Sequence, residues 1–385
     1  MIRSPKKDRR RPSQTRPVLF AAIGLASVCG WTGIARPEDT AGEKNPPLHE
    51  YFGFGEMEIY KLDHGIRNLR AADLNGDGLL DLAVVNNRRS KIDIFLQRKP
   101  GEPEPPDTRD DDDPNDLADS TRFRRDTVSS VWQIASLELA DVTGDNRPDL
   151  VFFGDPKELV VIARGPDQEW ESPRIIRNKE GMPYSSGLAI GDLNGDGRSD
   201  VVLLGENHIF VYTQDPDGRL DRPQRYAHGG SDTHGIIIAD ADGDGRSDLL
   251  TFGSKQGYPV AVRLQDAFGR LGPQPEFRRP ALRSLTAVPV LGRPAADMFV
   301  IQQLSNRVVG YRLSGASRVR GERDWLSLTF AYPVPGKADD RPAVIADLDG
   351  DGRPDLVAAD PKSAQLAWYR QRRNVGLGHG KTFPG

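Results

Sequence analysis

The sequence predicts an all-β protein assembled from repeated units of four short antiparallel strands. Three observations support this prediction. An acidic, glycine-rich segment recurs along the chain, it recurs about every 50 residues, and each period holds four β-rich runs separated by turn residues. Repeats of this length are typical of solenoids and of rings of small sheets. The chain has 385 residues, including 40 glycines and 30 prolines, as expected for a turn-rich domain.

Residues 1–35 precede the repeats and have the pattern of an export signal. They carry seven basic residues and one Asp, and no charged residue lies between Arg16 and Arg36. Gly33 and Ala35 form a small-x-small cleavage site, so the segment is predicted to be a signal peptide or a retained signal anchor. Either alternative predicts an exported protein that is secreted, periplasmic or held at the cell surface. Cys29 is the only cysteine, so the remaining chain has no disulfide of its own.

Residues 36–50 are polar and proline-containing and are predicted to be a linker. The repeats then define one domain over residues 51–385. Within it, residues 100–119 have a composition that cannot build a core, so they are predicted to form a disordered acidic insertion. Its run Asp110–Asp113 is interpreted as part of a solvated loop.

The repeat itself is a 14-residue segment in which an acidic turn runs into an apolar strand. Five copies align without gaps, at residues 72–85, 140–153, 191–204, 239–252 and 346–359. A sixth, at residues 288–301, keeps the apolar run and Asp297 but has lost the other acids. The spacing therefore predicts six units.

Each unit contains four β-rich runs, which are clearest in the third. There SGLAIGDL, DVVLLG and HIFVYT are separated by turns and followed by a fourth run near RPQRYAH. Four antiparallel strands repeated around a ring form a β-propeller. Six blades are predicted, and a seven-bladed or truncated ring remains an alternative. Because the chain ends at GKTFPG, residues 51–62 are expected to supply the outer strand of the last blade and so close the ring.

The acidic turns have the donor pattern of a calcium loop. Numbered from the first Asp, positions 1, 3 and 5 offer side-chain oxygens, position 7 a backbone carbonyl, position 9 an Asp, and glycine at position 6 permits the turn. The predicted ligands in the five loops are Asp73, Asn75, Asp77, Leu79 and Asp81; Asp141, Thr143, Asp145, Arg147 and Asp149; Asp192, Asn194, Asp196, Arg198 and Asp200; Asp240, Asp242, Asp244, Arg246 and Asp248; and Asp347, Asp349, Asp351, Arg353 and Asp355.

Ca²⁺ is the cofactor that this pattern favours, at about five sites, with the loop at residues 141–149 the weakest. Zn²⁺ would require His or Cys, and Mg²⁺ prefers an octahedral shell that keeps its waters. An EF-hand requires Glu at position 12 between two helices, whereas position 12 here lies inside an apolar β-like run. Asp and Gly also favour turns without metal, but five copies with acids at positions 1, 5 and 9 make that alternative less favoured.

The loop pattern D-x-[DN]-G-D-G-x-x-D-[LV], with strands such as DLVFFG and DLLTFG, resembles the FG-GAP/VCBS repeat family. The same repeat occurs in the propellers of integrin α chains. The resemblance covers residues 51–385. It implies structural calcium at the turns between strands 1 and 2, and a ligand held on the opposite face.

The function predicted on this basis is binding or adhesion, with an unidentified protein or glycan partner on that opposite, upper face. Two alternatives remain: a calcium-dependent carbohydrate-active enzyme of the polysaccharide lyase type, and a non-catalytic module of a larger surface protein. No common catalytic motif occurs, so we expect no enzymatic activity. Nucleic-acid binding is not expected of an acidic chain, and membrane association is expected only through the possible N-terminal anchor.

Overall fold

The computed structural model describes residues 62–384 with gaps at 104–121, 230–231, 255–256, 289–294, 303–306, 314–325, 334–342, 352, 354, 361–364, 373–375 and 378–380. The predicted signal segment, linker and acidic core of the insertion lie outside these residues. The described residues belong to one compact unit and form strands and turns without helices. Accordingly, no helix in the described part of the chain is long and apolar enough to cross a membrane.

Among the described residues, six four-stranded antiparallel sheets form the blades of a ring, which confirms the predicted propeller of six blades. The first three blades contain β1 (Arg67–Ala72), β2 (Asp81–Asn86), β3 (Lys91–Gln97) and β4 (Phe123–Ser129); β5 (Gln133–Ala140), β6 (Asp149–Asp155), β7 (Glu158–Ile162) and β8 (Arg174–Arg177); and β9 (Leu188–Gly191), β10 (Asp200–Leu204), β11 (His208–Tyr212) and β12 (Gln224–Ala227).

The other three blades follow the same order. They contain β13 (Thr233–Ala239), β14 (Asp248–Gly253), β15 (Gly257–Arg263) and β16 (Glu276–Arg279); β17 (Leu282–Val288), β18 (Asp297–Gln302), β19 (Arg307–Leu313) and β20 (Leu326–Pro333); and β21 (Ala343–Ala346), β22 (Asp355–Asp360), β23 (Gln365–Tyr369) and β26 (Lys381–Pro384). A small hairpin of β24 (Gln371–Arg372) and β25 (Gly376–Leu377) lies between β23 and β26.

The sixth blade takes its fourth strand from the end of the chain, because β26 pairs with β23. The expectation that residues 51–62 fill this place is therefore wrong. Four residues are enough for an outer strand, as β8, β12 and β16 show, and the hairpin β24–β25 makes the turn before it. Residues 51–61 lie outside the described part of the chain.

The core lies between the blades. In β2 and β6 nearly every side chain is buried, and in β10 every one is, because the second strand of a blade is covered on both faces by its neighbours. Five apolar clusters join successive blades from the first to the sixth, and Phe152 and Leu203 are fully buried in two of them. The outer strands β8 and β12 are mostly exposed. This packing fixes the loops at the two ends of the ring.

Candidate metal centre

Each acidic loop connects the first two strands of a blade and starts from the same register. The residue before position 1 pairs with the Asp at position 9, as in Ala72 with Asp81, Gly191 with Asp200 and Ala239 with Asp248. Positions 1–8 therefore form a closed turn at one end of the blade. We call them the acidic loops of blades 1, 2, 3, 4 and 6. Since strands alternate in direction, the turns between the third and fourth strands lie at this same end.

The backbone of these loops has the left-handed residues that the sequence predicts. In the loop of blade 3, Gly195 has φ +78° and Gly197 has φ +82°. Asn146, which takes the glycine place in blade 2, has φ +62°, as its tolerance for this conformation allows. The Asp at position 1 then accepts backbone N–H groups from across the turn. Asp192, for example, binds the N–H of Gly195 at 2.7 Å and that of Gly197 at 2.8 Å.

Carboxylates at positions 1, 3 and 5 converge in two loops. One oxygen from each of Asp240, Asp242 and Asp244 lies within 4.8 Å of the others, and Asp347, Asp349 and Asp351 form the same arrangement. In blades 1 and 3 position 3 is Asn, and its side-chain amide donates to the Asp at position 5, as from Asn194 to Asp196 at 2.9 Å. The donor set is therefore oxygen-rich and fits a hard divalent cation such as Ca²⁺.

The Asp at position 9 has a different environment from the other predicted ligands. Asp200 is fully buried, and its carboxylate accepts the backbone N–H of Leu193 and that of Gln214, both at 3.0 Å. Asp248 binds the N–H groups of Ala241 and Gln265 in the same way. The carboxylate thus connects the acidic loop to the end of the third strand, which is a structural role that the sequence pattern did not indicate.

Burial raises the pKa of these position-9 carboxyl groups, against the lowering effect of their hydrogen bonds. The pKa rises to about 6 for Asp81, Asp200, Asp248 and Asp355, and to about 7 for Asp149. Negative charge in the same loop raises the pKa further: the carboxylates at positions 1 and 5 act on Asp81, Asp149 and Asp200, and those at positions 1 and 3 act on Asp248. A cation in the loop would oppose both effects.

Arginine at position 7 supplies a counter-ion that the sequence analysis missed. The guanidinium of Arg198 pairs with Asp196 at 2.5 Å, and its Nε donates to the Gln214 carbonyl at 3.0 Å. Arg147 pairs with Asp145 at 2.5 Å, and Arg353 with Asp351 at 2.9 Å. The recurrence of Arg at this position in four of the five loops was the available signal. The calcium-loop pattern assigns position 7 only a backbone carbonyl.

Two loops have features of their own. In blade 2 the Thr143 hydroxyl donates to Asp149 at 3.2 Å. In blade 6 a second arginine, Arg370, pairs with Asp349 and lies 3.4 Å from an oxygen of Asp351. Its positive charge lies against the carboxylates that the pattern assigns to calcium.

The end of the ring opposite the acidic loops, the upper end, carries an aromatic pair and an ion pair. The rings of Tyr184 and His234 meet edge to face at 6.4 Å, and Arg225 pairs with Glu180 at 2.6 Å. Two other polar side chains at this end are structural. Asn87 bridges two blades through the backbone of Ile134, and the buried His228 binds the Gly205 carbonyl.

The fold and its turns define a class: a six-bladed β-propeller with an Asp-rich turn between the first two strands of five blades. A family model described as FG-GAP-like repeat matches residues 73–152 and 192–251. The chain therefore contains FG-GAP-like repeats on a six-bladed β-propeller, which confirms the resemblance noted from the sequence.

Solved structures support the fold. A lectin from Agrocybe aegerita, described as recognising non-reducing terminal N-acetylglucosamine, is 15% identical with a TM-score of 0.57, over 82% of this chain and 79% of that one. A chain of an active polycomb repressive complex 2 is 10% identical with a TM-score of 0.50, over 81% and 68% of the two chains. A search of curated proteins found no match.

Proposed function

We propose that this protein is an exported, calcium-stabilised binding module that recognises a glycan or protein partner through the end of the ring opposite the acidic loops. It is proposed to act by binding, without catalysis. The acidic loops would hold Ca²⁺ in a structural role. The similarity in fold to a glycan-binding lectin is compatible with this assignment.

The observation that carries the proposal is an aromatic pair at the upper end of the ring, formed by the exposed Tyr184 and the half-buried His234. Tyr184 is 37% exposed, and its ring contacts that of His234, which in turn packs on Phe252 at 5.2 Å. The Glu180–Arg225 ion pair lies on the same end. Aromatic surface beside charged hydrogen-bonding groups suits a sugar ring or a peptide.

Glycan-array binding by the calcium-loaded protein tests this proposal. Tyr184→Ala and His234→Ala should each weaken binding about 10-fold or more, as expected for an anchoring side chain. Phe268→Ala is the matched control, because Phe268 is 80% exposed at the opposite end of the ring. Equal binding by all three variants and the parent would exclude the upper end as the binding face.

Calcium stoichiometry tests the metal part of the proposal separately. Asp244→Ala removes a carboxylate from the converging group in blade 4 and should lower the bound calcium count by one. Asp297→Ala is its control, since blade 5 lacks the acidic loop and the count should not change. Thermal unfolding with and without calcium should show stabilisation by mass action in the parent. An identical calcium count in all three proteins would contradict the assignment of ligands.

A further inference from the structure

A cavity of about 590 Å³ lies between blades 1 and 2. Its apolar lining includes Leu96, Val128 and Ile162, and its polar lining includes the side chains of β4 and of the turn after β7. The corresponding gap between blades 2 and 3, next to Leu220, measures about 190 Å³. The first volume is large enough for a small organic ligand.

Blade 2 differs from its neighbours at this cavity in one residue pair. In blades 3, 4 and 6 a backbone pairing between a Gln and a Leu closes the turn after the third strand, as in Gln214–Leu220 and Gln265–Leu271. Blade 2 has Arg164 and Trp170 in the same two places. The exchange puts a cation and an indole where the repeat otherwise has an amide and an aliphatic chain.

A second exchange accounts for the greater width of the cavity. Gly218 in blade 3 and Gly269 in blade 4 lie so close to the preceding acidic loop that a Cβ would approach Thr143 O to 1.7 Å and Asn194 O to 2.0 Å. The same turn position in blade 2 is Gln168, with φ +69°. A residue with a Cβ prevents that close approach, so the blade 2 turn stands away from blade 1.

The Arg164 side chain is buried, and two of its three guanidinium nitrogens have no acceptor among the described residues. It is 2% exposed, and its Nε and Nη1 atoms have no acceptor. The guanidinium carbon of Arg164 lies 4.8 Å from the centre of the Trp170 ring, so the indole covers one face of the guanidinium. Trp170 in turn donates a 3.3 Å hydrogen bond from its indole N–H to Asp126. Leaving charged donors unpaired in a buried site is costly, so an anionic ligand would remove a penalty that the protein otherwise bears.

The lining also restricts what kind of anion fits. Asp126, Glu169 and Glu171 lie in the wall together with Arg124 and Arg125, so the wall offers both hydrogen-bond acceptors and donors. The three carboxylates would repel a phosphate or sulfate dianion more than a singly charged carboxylate. A ligand with one carboxylate and several hydroxyl groups matches this mixture, because hydroxyls both donate and accept.

We propose that this cavity binds an acidic sugar residue, with the Arg164 guanidinium holding its carboxylate and the apolar floor carrying its ring. The proposal rests on the proposed function only in taking a glycan as the ligand. It places the site between two blades at the acidic-loop end rather than on the upper end. A guanidinium pairs with a carboxylate through two parallel N–H···O bonds, which gives both affinity and orientation.

Titration calorimetry with D-glucuronate, D-glucose and sulfate tests the site. The parent should bind glucuronate at least 10-fold more tightly than glucose or sulfate. Arg164→Gln installs the residue found in the sister blades, so the fold should be retained, and glucuronate binding should weaken about 10- to 100-fold. Trp170→Leu, also a sister-blade residue, should weaken it as well. Arg177→Gln is the matched control, because it removes the same charge from an 82% exposed side chain on the adjacent strand.

The possible outcomes separate this inference from the proposed function. Tight binding of glucuronate by the parent and by Arg177→Gln, with loss in Arg164→Gln, supports the site. Equal binding of sulfate and glucuronate would overturn the assignment to a sugar acid. No glucuronate binding, or unchanged binding in a folded Arg164→Gln variant, would overturn the site itself. Glycan binding that depends on Tyr184 would still support the proposed function in that case.

Discussion

Removing the position-9 carboxylate in blade 3 tests whether this residue stabilises the fold by itself or only through calcium. In Asp200→Ala the backbone N–H groups of Leu193 and Gln214 both lose their acceptor inside the protein. Each unpaired buried donor costs about 1–3 kcal/mol, so the two together cost about 2–6 kcal/mol. We expect about 3 kcal/mol, because the substitution also removes the cost of burying the carboxylate.

Urea unfolding, followed by tryptophan fluorescence, measures this loss in calcium-loaded and in calcium-free protein. The free energy of unfolding should fall by about 3 kcal/mol in both conditions, since the hydrogen bonds do not require the ion. Asp196→Ala is the control in the same loop. Asp196 is exposed and paired with Arg198, so its loss should cost less than about 1 kcal/mol without calcium.

The reasoning fails if the cost of Asp200→Ala disappears in calcium-free protein. The carboxylate would then act only as a metal ligand, and the two hydrogen bonds would contribute nothing measurable. Asp200→Asn refines the result, because its amide oxygen keeps one acceptor and should retain part of the lost stability.

Three further predictions concern pH, a counter-ion and a blade contact. The position-9 carboxyl groups have a pKa of about 6–7 in the folded protein, against about 3.9 in the unfolded chain. Calcium-free protein should therefore lose stability as the pH rises from about 4 to 7. Melting temperatures that rise over this pH range would contradict the pKa shifts. Arg370→Gln removes the guanidinium beside Asp349 and should raise the calcium affinity of the blade 6 loop. Titration with a calcium indicator measures this affinity, and an unchanged value would show that Arg370 does not compete with the ion. Gly269→Ala should lower the free energy of unfolding in urea by about 2 kcal/mol or more. The reason is that a Cβ at this position would come within 2.0 Å of Asn194 O and that φ is +71°. An unchanged free energy of unfolding would show that the turn shifts freely.

The repeat determined most of the fold at the level of sequence. The 14-residue segment contains its own turn chemistry, since Gly195 and Gly197 take the left-handed conformation that the loop requires and the following β10 is apolar enough to be buried on both faces. These are local properties, so they can be recognised without knowing what lies nearby in space. The same locality explains why six blades and the converging acids at positions 1, 3 and 5 followed from spacing alone.

Contacts between distant residues were decided only by the tertiary structure. At the end of the third strand of blade 3, the backbone N–H of Gln214 donates to Asp200, which lies 14 residues earlier in the chain. In the sixth blade, Arg370 forms an ion pair with Asp349. The last blade takes its outer strand from Lys381–Pro384 because strand pairing depends on which segment lies within hydrogen-bonding distance. The significance of Arg164 depends likewise on its Nε and Nη1 atoms having no acceptor within the part of the chain that the structure describes. Sequence shows which groups a chain has, whereas packing determines which of them are paired, buried or left open to a ligand.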